Sequence, residues 1–172
     1  STGLVKIIQE LNEGNFSKKK KSDYKTDFSI GVAGNPGTEN IEEEAARLEE
    51  KAAAGASFIQ TQPIFSLEIL EKFLDSTHHV NIPKIIGIMP LRSKKMVDYI
   101  DKNLSHIFIP ENVRNRMTDK DIEEVICIAQ ELINEIVSMK EVAGIHIFPM
   151  NNLSIIPQII GNGLENNKAL SA

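Results

Sequence analysis

Residues 55–65 read GASFIQTQPIF. Ala56, Phe58 and Ile59 begin a short apolar run between Gly55 and Pro63, too brief for a helix and of the right length for a strand. The run closes on Thr61-Gln62-Pro63, two polar side chains and a residue that cannot donate to a ladder. The same form returns in FSIGVAGNP at 28–36, KIIGIMP at 84–90 and GIHIFPM at 144–150. Each is an apolar run stopped by proline. Strands this apolar, separated by helical patterns, imply a parallel sheet covered on its outer face.

Working outward, the segments between these runs have helical periodicity. Leu4, Ile7, Ile8 and Leu11 open the chain on an amphipathic helix, ended by Gly14-Asn15. Ile41, Ala45, Leu48 and Ala52 share one face of a helix over 41–54, with Glu42, Glu43 and Glu44 in its first turn and Gly55 at its end. Leu67, Leu70, Phe73 and Leu74 mark the next helix, and Val97, Ile100 and Leu104 another. A longer helix is predicted over 118–140, with Thr118 and Asp121 resembling a capping box. A short helix over 155–160, broken by Pro157, closes the pattern. The order is α-βα-βα-βαα-βα. No G-x-G-x-x-G turn is present, which weakens a dinucleotide-binding doubly wound sheet. A (β/α)₈ barrel needs eight strands and about 250 residues. Four strands make half of one, a single partial domain over 1–172.

Composition narrows the function classes. Hydrophobic residues are 41% and charged residues 25% of the 172, a globular balance, and the net charge of -5 argues against a nucleic-acid partner. One cysteine, Cys127, permits no intrachain disulfide and fits a reducing, cytoplasmic setting. No apolar run is long enough to span a bilayer, so no membrane role is expected. The opening Ser1-Thr2-Gly3 lacks an initiator Met, as a piece of a longer protein would.

In parallel βα folds ligands sit at the C-terminal ends of the strands. Here those ends carry Asn35, Gln62 and Asn151-Asn152, each near a proline. Gln62 shares a strand face with Gln60 and Phe58. Its amide either meets a flat heterocycle at the pocket mouth or braces loop backbone, and spacing leaves both open. Other polar residues read as structural. Lys18 to Lys21 form a solvated loop, Cys127 sits near an apolar helix face, and His78-His79 end a helix. His106 stands alone, and His146 lies inside a strand. No Ser/His/Asp set, metal-ligand spacing or phosphate loop is evident.

Four motifs together, FSIGVAGNP, EEKAAAGASFIQTQPIFS, PKIIGIMPL and AGIHIFPMN, resemble successive strand ends of the methylenetetrahydrofolate reductases, in order and spacing, from Leu4 onward. Asn35-Pro36 and Thr61-Gln62-Pro63 look most like the reductase half of the bacterial bifunctional homocysteine S-methyltransferase/methylenetetrahydrofolate reductases. The resemblance implies the C-terminal half of a (β/α)₈ TIM barrel, strands five to eight, four parallel strands with covering helices. It implies FAD across the strand ends, NAD(P)H as reductant, and reduction of 5,10-methylenetetrahydrofolate to 5-methyltetrahydrofolate. By motif, Gln62 matches a glutamine that bonds the folate pterin, and Lys51 a basic residue at the FAD diphosphate. Glu44 matches an acidic position near the flavin's polar tail. Arg47, on the same helix face one turn before Lys51, is a further expected cofactor contact, and Asn35 takes the place of a tyrosine that contacts FAD. Asn152 stands where an arginine facing folate is common, and the histidine usual after Gly-Tyr-Pro is absent from Gly37-Thr38-Glu39-Asn40. The acidic residue that helps protonate folate belongs to the family's first strand, before this chain begins, so the catalytic acid is unassigned. The N-terminal half of the barrel, or a second copy, is the expected partner beside folate. The competing readings are a non-catalytic half-barrel subunit or scaffold without flavin, and an unrelated βα small-molecule binder.

Overall fold

The four apolar runs lie side by side in the computed structural model, which describes residues 1–17, 20–21, 24–104, 106–118, 121–150 and 152–164. Helix α1 (Thr2–Asn12) leads to a two-stranded antiparallel pair, β1 (Asn15–Ser17) and β2 (Lys20–Lys21). The expected lysine loop thus contains a small ladder at Lys20 and Lys21; Lys18 and Lys19 lie outside the described residues. Then follow β3 (Gly31–Gly34), α2 (Ile41–Ala53), β4 (Phe58–Pro63), α3 (Leu67–Ser76) and β5 (Lys84–Ile88). Three helices, α4 (Lys94–Asn103), α5 (Glu111–Arg116) and α6 (Ile122–Ile136), precede β6 (Val142–Ile147). A 3₁₀ turn at Leu153–Ile155 runs into α7 (Ile156–Leu164). The sheet order β3-β4-β5-β6 follows the chain, and every pairing is parallel. This is the expected α/β half-barrel: four parallel strands with covering helices.

Side-chain caps set the helix starts. Asn40 accepts from Glu43 N at 3.1 Å, Ser66 from Ile69 N at 3.4 Å, Ser93 from Met96 N at 3.2 Å and Asp121 from Glu124 N at 3.0 Å. The last of these corrects the predicted start at Thr118: aspartate is the stronger N-cap, and α6 begins at Ile122. α2 ends as expected at Gly55, where the N–H groups of Gly55 and Ala56 return to the carbonyls of Ala52 and Lys51. Pro157 does not break the last helix. It is the second residue of α7, where a missing N–H leaves no helical bond unmade. The short α5, beginning after Pro110, had no counterpart in the sequence pattern.

The core lies between the sheet's outer face and the helices. Ile59 and Ile86 from the sheet meet Leu48, Leu70, Phe73, Ile136 and Ile159 from the helices, all fully buried. The opposite, inner face carries Phe58, Gln60, Gln62, Ile85, His146 and Phe148, each half-buried. β4 alternates between the two faces as its spacing predicts: Ile59, Thr61 and Pro63 are buried, and Phe58, Gln60 and Gln62 are not. His146 packs edge to face on Phe148, ring centroids 4.6 Å apart, which accords with its structural reading.

One irregularity shapes the top of the sheet. Gln60 pairs with Ile85, but Pro63 pairs with Gly87, so β4 spends one extra residue against β5. Thr61 fills the break: its Oγ1, almost fully buried, accepts from Gly87 N at 2.8 Å. Gly87 admits the bulge because a Cβ there would lie 2.7 Å from Thr61 O and 2.9 Å from the Phe148 ring.

Candidate functional site

At the C-terminal ends of β3 and β4 the chain leaves an open cleft of about 350 Å³, lined by Ala33, Gly34, Asn35, Glu44, Lys51, Gln62 and His106. Asn35 follows β3, Glu44 and Lys51 stand two turns apart on α2, and Gln62 is carried by the β4 bulge. The 3.6-residue helical period places Glu44 and Lys51 on one face, toward the sheet end.

Glu44 and Lys51 are buried charges, 7% and 9% exposed, and burial of a charge is costly unless it is compensated. Glu44 Oε1 accepts from the backbone N–H of Asn35 at 2.9 Å, and its Oε2 lies 3.8 Å from Arg47. Lys51 Nζ donates to Ala33 O at 3.2 Å, its one hydrogen bond among the described residues. An ammonium has three donors, so it holds donor capacity toward the cleft. Asn35 Oδ1 is buried with no hydrogen-bond partner among the described residues. An uncommitted buried acceptor and an undersatisfied buried cation, in one cleft, suit a polar ligand carrying hydroxyl and anionic groups. The phosphate and sugar portion of a dinucleotide has both, so these residues fit the flavin nucleotide that the family resemblance implies.

The Gln62 amide makes no hydrogen bond to the described residues, and the side chain lines the cleft. The brace at this strand end is Thr61. Arg47 does not line the cleft: more than half exposed, it pairs with Glu43. Asn152 lies elsewhere, in a cavity of about 190 Å³ with Arg92, Ile122, Val125 and Ile155, and its Oδ1 accepts from Ser154 Oγ at 2.7 Å. The fold thus unites Asn35, Glu44, Lys51 and Gln62, and leaves Arg47 and Asn152 outside that group.

Two residues of these cavities escaped the sequence reading. His106, taken as solitary, belongs to the cleft; Arg92, between β5 and α4, lines the second cavity with Asn152. Neither carries a local signal, since each is placed by packing between segments far apart in the chain. A larger cavity, about 640 Å³, lies instead among α3, α5 and α6. Among its charged residues, Arg116 bonds Glu131 and the neighbouring Glu124, which raises the guanidinium pKa and holds the Glu131 carboxyl below its ordinary range. The Cys127 thiol donates to Glu131, which pushes its pKa up. No helix among the described residues is long and apolar enough to cross a membrane.

With this geometry in place, similarity to known proteins is informative. The family model described as methylenetetrahydrofolate reductase matches residues 4–163. A Caenorhabditis elegans protein, named probable methylenetetrahydrofolate reductase (NADPH), is 29% identical over 154 residues, covering 81% of this chain and 23% of the worm protein. Among solved structures, an uncharacterized Clostridium thermocellum protein that binds two copies of 5-methyl-5,6,7,8-tetrahydrofolic acid superposes with a TM-score of 0.53 at 20% identity. It covers 77% of this chain and 51% of its own. The chain therefore spans about a quarter of the worm relative and half of the structural neighbour. A match that takes in nearly the whole sequence, on a half-barrel whose strand ends carry the expected motifs, makes this chain a member of the methylenetetrahydrofolate reductase family.

Proposed function

We propose that this chain supplies strands five to eight of a flavin-dependent barrel that reduces 5,10-methylenetetrahydrofolate to 5-methyltetrahydrofolate with NAD(P)H. In this reading it is the second half of the reductase part of a bacterial bifunctional enzyme, working in the cytoplasm and completed by an N-terminal half-barrel or a second copy. The observation that carries the reading is the convergence of Asn35, Glu44, Lys51 and Gln62 on one cleft at the strand ends. Bound there, FAD supplies the hydride relay between nicotinamide and folate. Lys51 donates to the diphosphate. Asn35 Oδ1 takes a hydroxyl of the sugar chain. Glu44, held by the Asn35 N–H, fixes the turn that presents that amide. Gln62 offers an adjacent donor and acceptor, the pattern a pterin edge requires. Asn152, with Arg92 beside it, offers a second polar contact for folate. The family membership and the tetrahydrofolate bound by the structural neighbour support this reading.

The test is FAD titration of the chain in its native assembly, followed by flavin fluorescence, for wild type and Lys51→Met. Methionine keeps the buried stem and removes the charge. Loss of a charge-assisted contact weakens binding about 10- to 150-fold. A wild-type assembly that binds neither FAD nor 5-methyltetrahydrofolate would overturn the proposal. Folate binding without flavin would favour a non-catalytic half-barrel subunit, a reading consistent with the open inner face.

A further inference from the structure

Gly37 occupies a position where no side chain fits. A Cβ there would lie 2.0 Å from the carbonyl oxygen of His106 and 3.0 Å from its carbonyl carbon. The segment between α4 and α5 is therefore laid directly on the turn after β3. It is anchored there from within: Ile107 and Ile109 are buried, and Ile107 N donates to Leu104 O at 2.9 Å. These contacts leave His106 half-buried at the cleft beside Asn35, Lys51 and Gln62. Its ring makes no hydrogen bond or ion pair to the described residues. Three segments remote in sequence thus bring uncommitted polar groups to one place: Asn35 Oδ1, Lys51 Nζ and the imidazole of His106.

We propose that His106 is a ligand-binding residue of this cleft, donating from its ring to the phosphate-bearing chain of the bound dinucleotide, and that the Gly37 contact sets its position. The inference rests on the flavin reading above. The choice of an anionic ligand group follows from what is already committed. The carboxylate in the cleft, Glu44, is engaged by Asn35 N and lies near Arg47, whereas Lys51 and His106 keep N–H groups that no described residue accepts. Donors without an internal acceptor match a ligand that brings its own negative charge.

The experiment is titration of the assembled protein with FAD and with riboflavin, which lacks phosphate, for wild type, His106→Ala, His106→Gln and Gly37→Ala. His106→Ala should weaken FAD about 10-fold and riboflavin far less. His106→Gln, which keeps a side-chain N–H, should recover part of the loss. Gly37→Ala must displace the His106 backbone, so it should weaken FAD as well, and its effect should not add to that of His106→Ala. The melting temperature of His106→Ala should match wild type, because the ring makes no hydrogen bond or ion pair to the described residues. If Lys51→Met loses FAD while His106→Ala binds it like wild type, or loses FAD and riboflavin equally, the assignment of His106 fails and the flavin reading stands. Absence of FAD binding by the wild type overturns both.

Discussion

Replacing Gln62 with leucine separates the two roles that an amide at a strand end can have. The side chain makes no hydrogen bond to the described residues, so Gln62→Leu should leave the melting temperature within a degree or two of wild type. If the amide meets a pterin, folate affinity of the assembled protein should fall about 5- to 150-fold, because the ligand edge is left unpaired. Titration with 5-methyltetrahydrofolate beside a melting curve reads both. A lowered melting point with unchanged folate affinity would return Gln62 to loop bracing. Lys84 permits a pH test. It is 6% exposed at the start of β5, and burial lowers its pKa from the ordinary 10.5, with Glu141 opposing. Below the lowered value the ammonium is charged in native and unfolded chains alike, and its burial costs stability. As pH rises from that value toward 10.5, the native state sheds the proton first and the cost is relieved, so stability rises across this window. Lys84→Met should therefore be at least as stable as wild type at pH 7, and its advantage should shrink as pH climbs through the window. Val80 O, which loses Lys84 Nζ, keeps the Ile82 N–H, so no orphan acceptor results. Urea melts at both ends of the range measure the difference, and a variant clearly less stable at pH 7 would contradict it.

At the scale of elements, the β4–β5 pairing shows how a strand end is made to hold a ligand group. A regular ladder would alternate through Thr61 and Gln62 to the end of the strand; the extra residue breaks the ladder there. The Thr61 hydroxyl supplies the acceptor that the missing carbonyl would have been. Thr61→Val keeps shape and volume but leaves Gly87 N buried without that acceptor. The expected loss is about 1–3 kcal/mol, seen as a lower urea midpoint at unchanged slope. Thr61→Ser, which keeps the oxygen, should lose less. Equal stability of wild type and Thr61→Val would mean that the bulge does not depend on the hydroxyl. The helix starts follow a similar local logic, since Asn40, Ser66, Ser93 and Asp121 each close an N–H three residues on.

For the whole molecule, the consequence of four strands is that β3 and β6 are edge strands and that, among the described residues, no second sheet covers the inner face. Apolar residues are exposed near both ends of the sheet. Leu4 and Ile7 lie on α1, which Asn12 ties to Phe28 by two hydrogen bonds, and Leu153 follows β6. Leu153 is 71% exposed and Leu4 62%. Unpaired edges and apolar faces favour pairing with a complementary half-barrel. Light scattering at micromolar concentration should show self-association, reversed when a complementary N-terminal half is supplied. A stable monomer that leaves its edges unpaired would contradict this.

The order of elements, the parallel sheet and the family were legible in the sequence because each rests on local pattern. Prolines at strand ends, 3.6-residue spacing and a motif order survive without coordinates. Asn35, Glu44, Lys51 and Gln62 were singled out by the resemblance of their motifs, and the packed strand ends bring the four to one cleft. The division of labour between Thr61 and Gln62 was not, because it depends on a register break with β5 that neither strand reveals alone. Arg47 faces outward and Asn152 joins Arg92 for the same kind of reason: a side chain one turn away, or one loop away, is aimed by its neighbours. His106 is the clearest case. Its place beside Lys51 follows from a carbonyl resting on Gly37, a contact between segments nearly seventy residues apart, which only the packed sheet brings together.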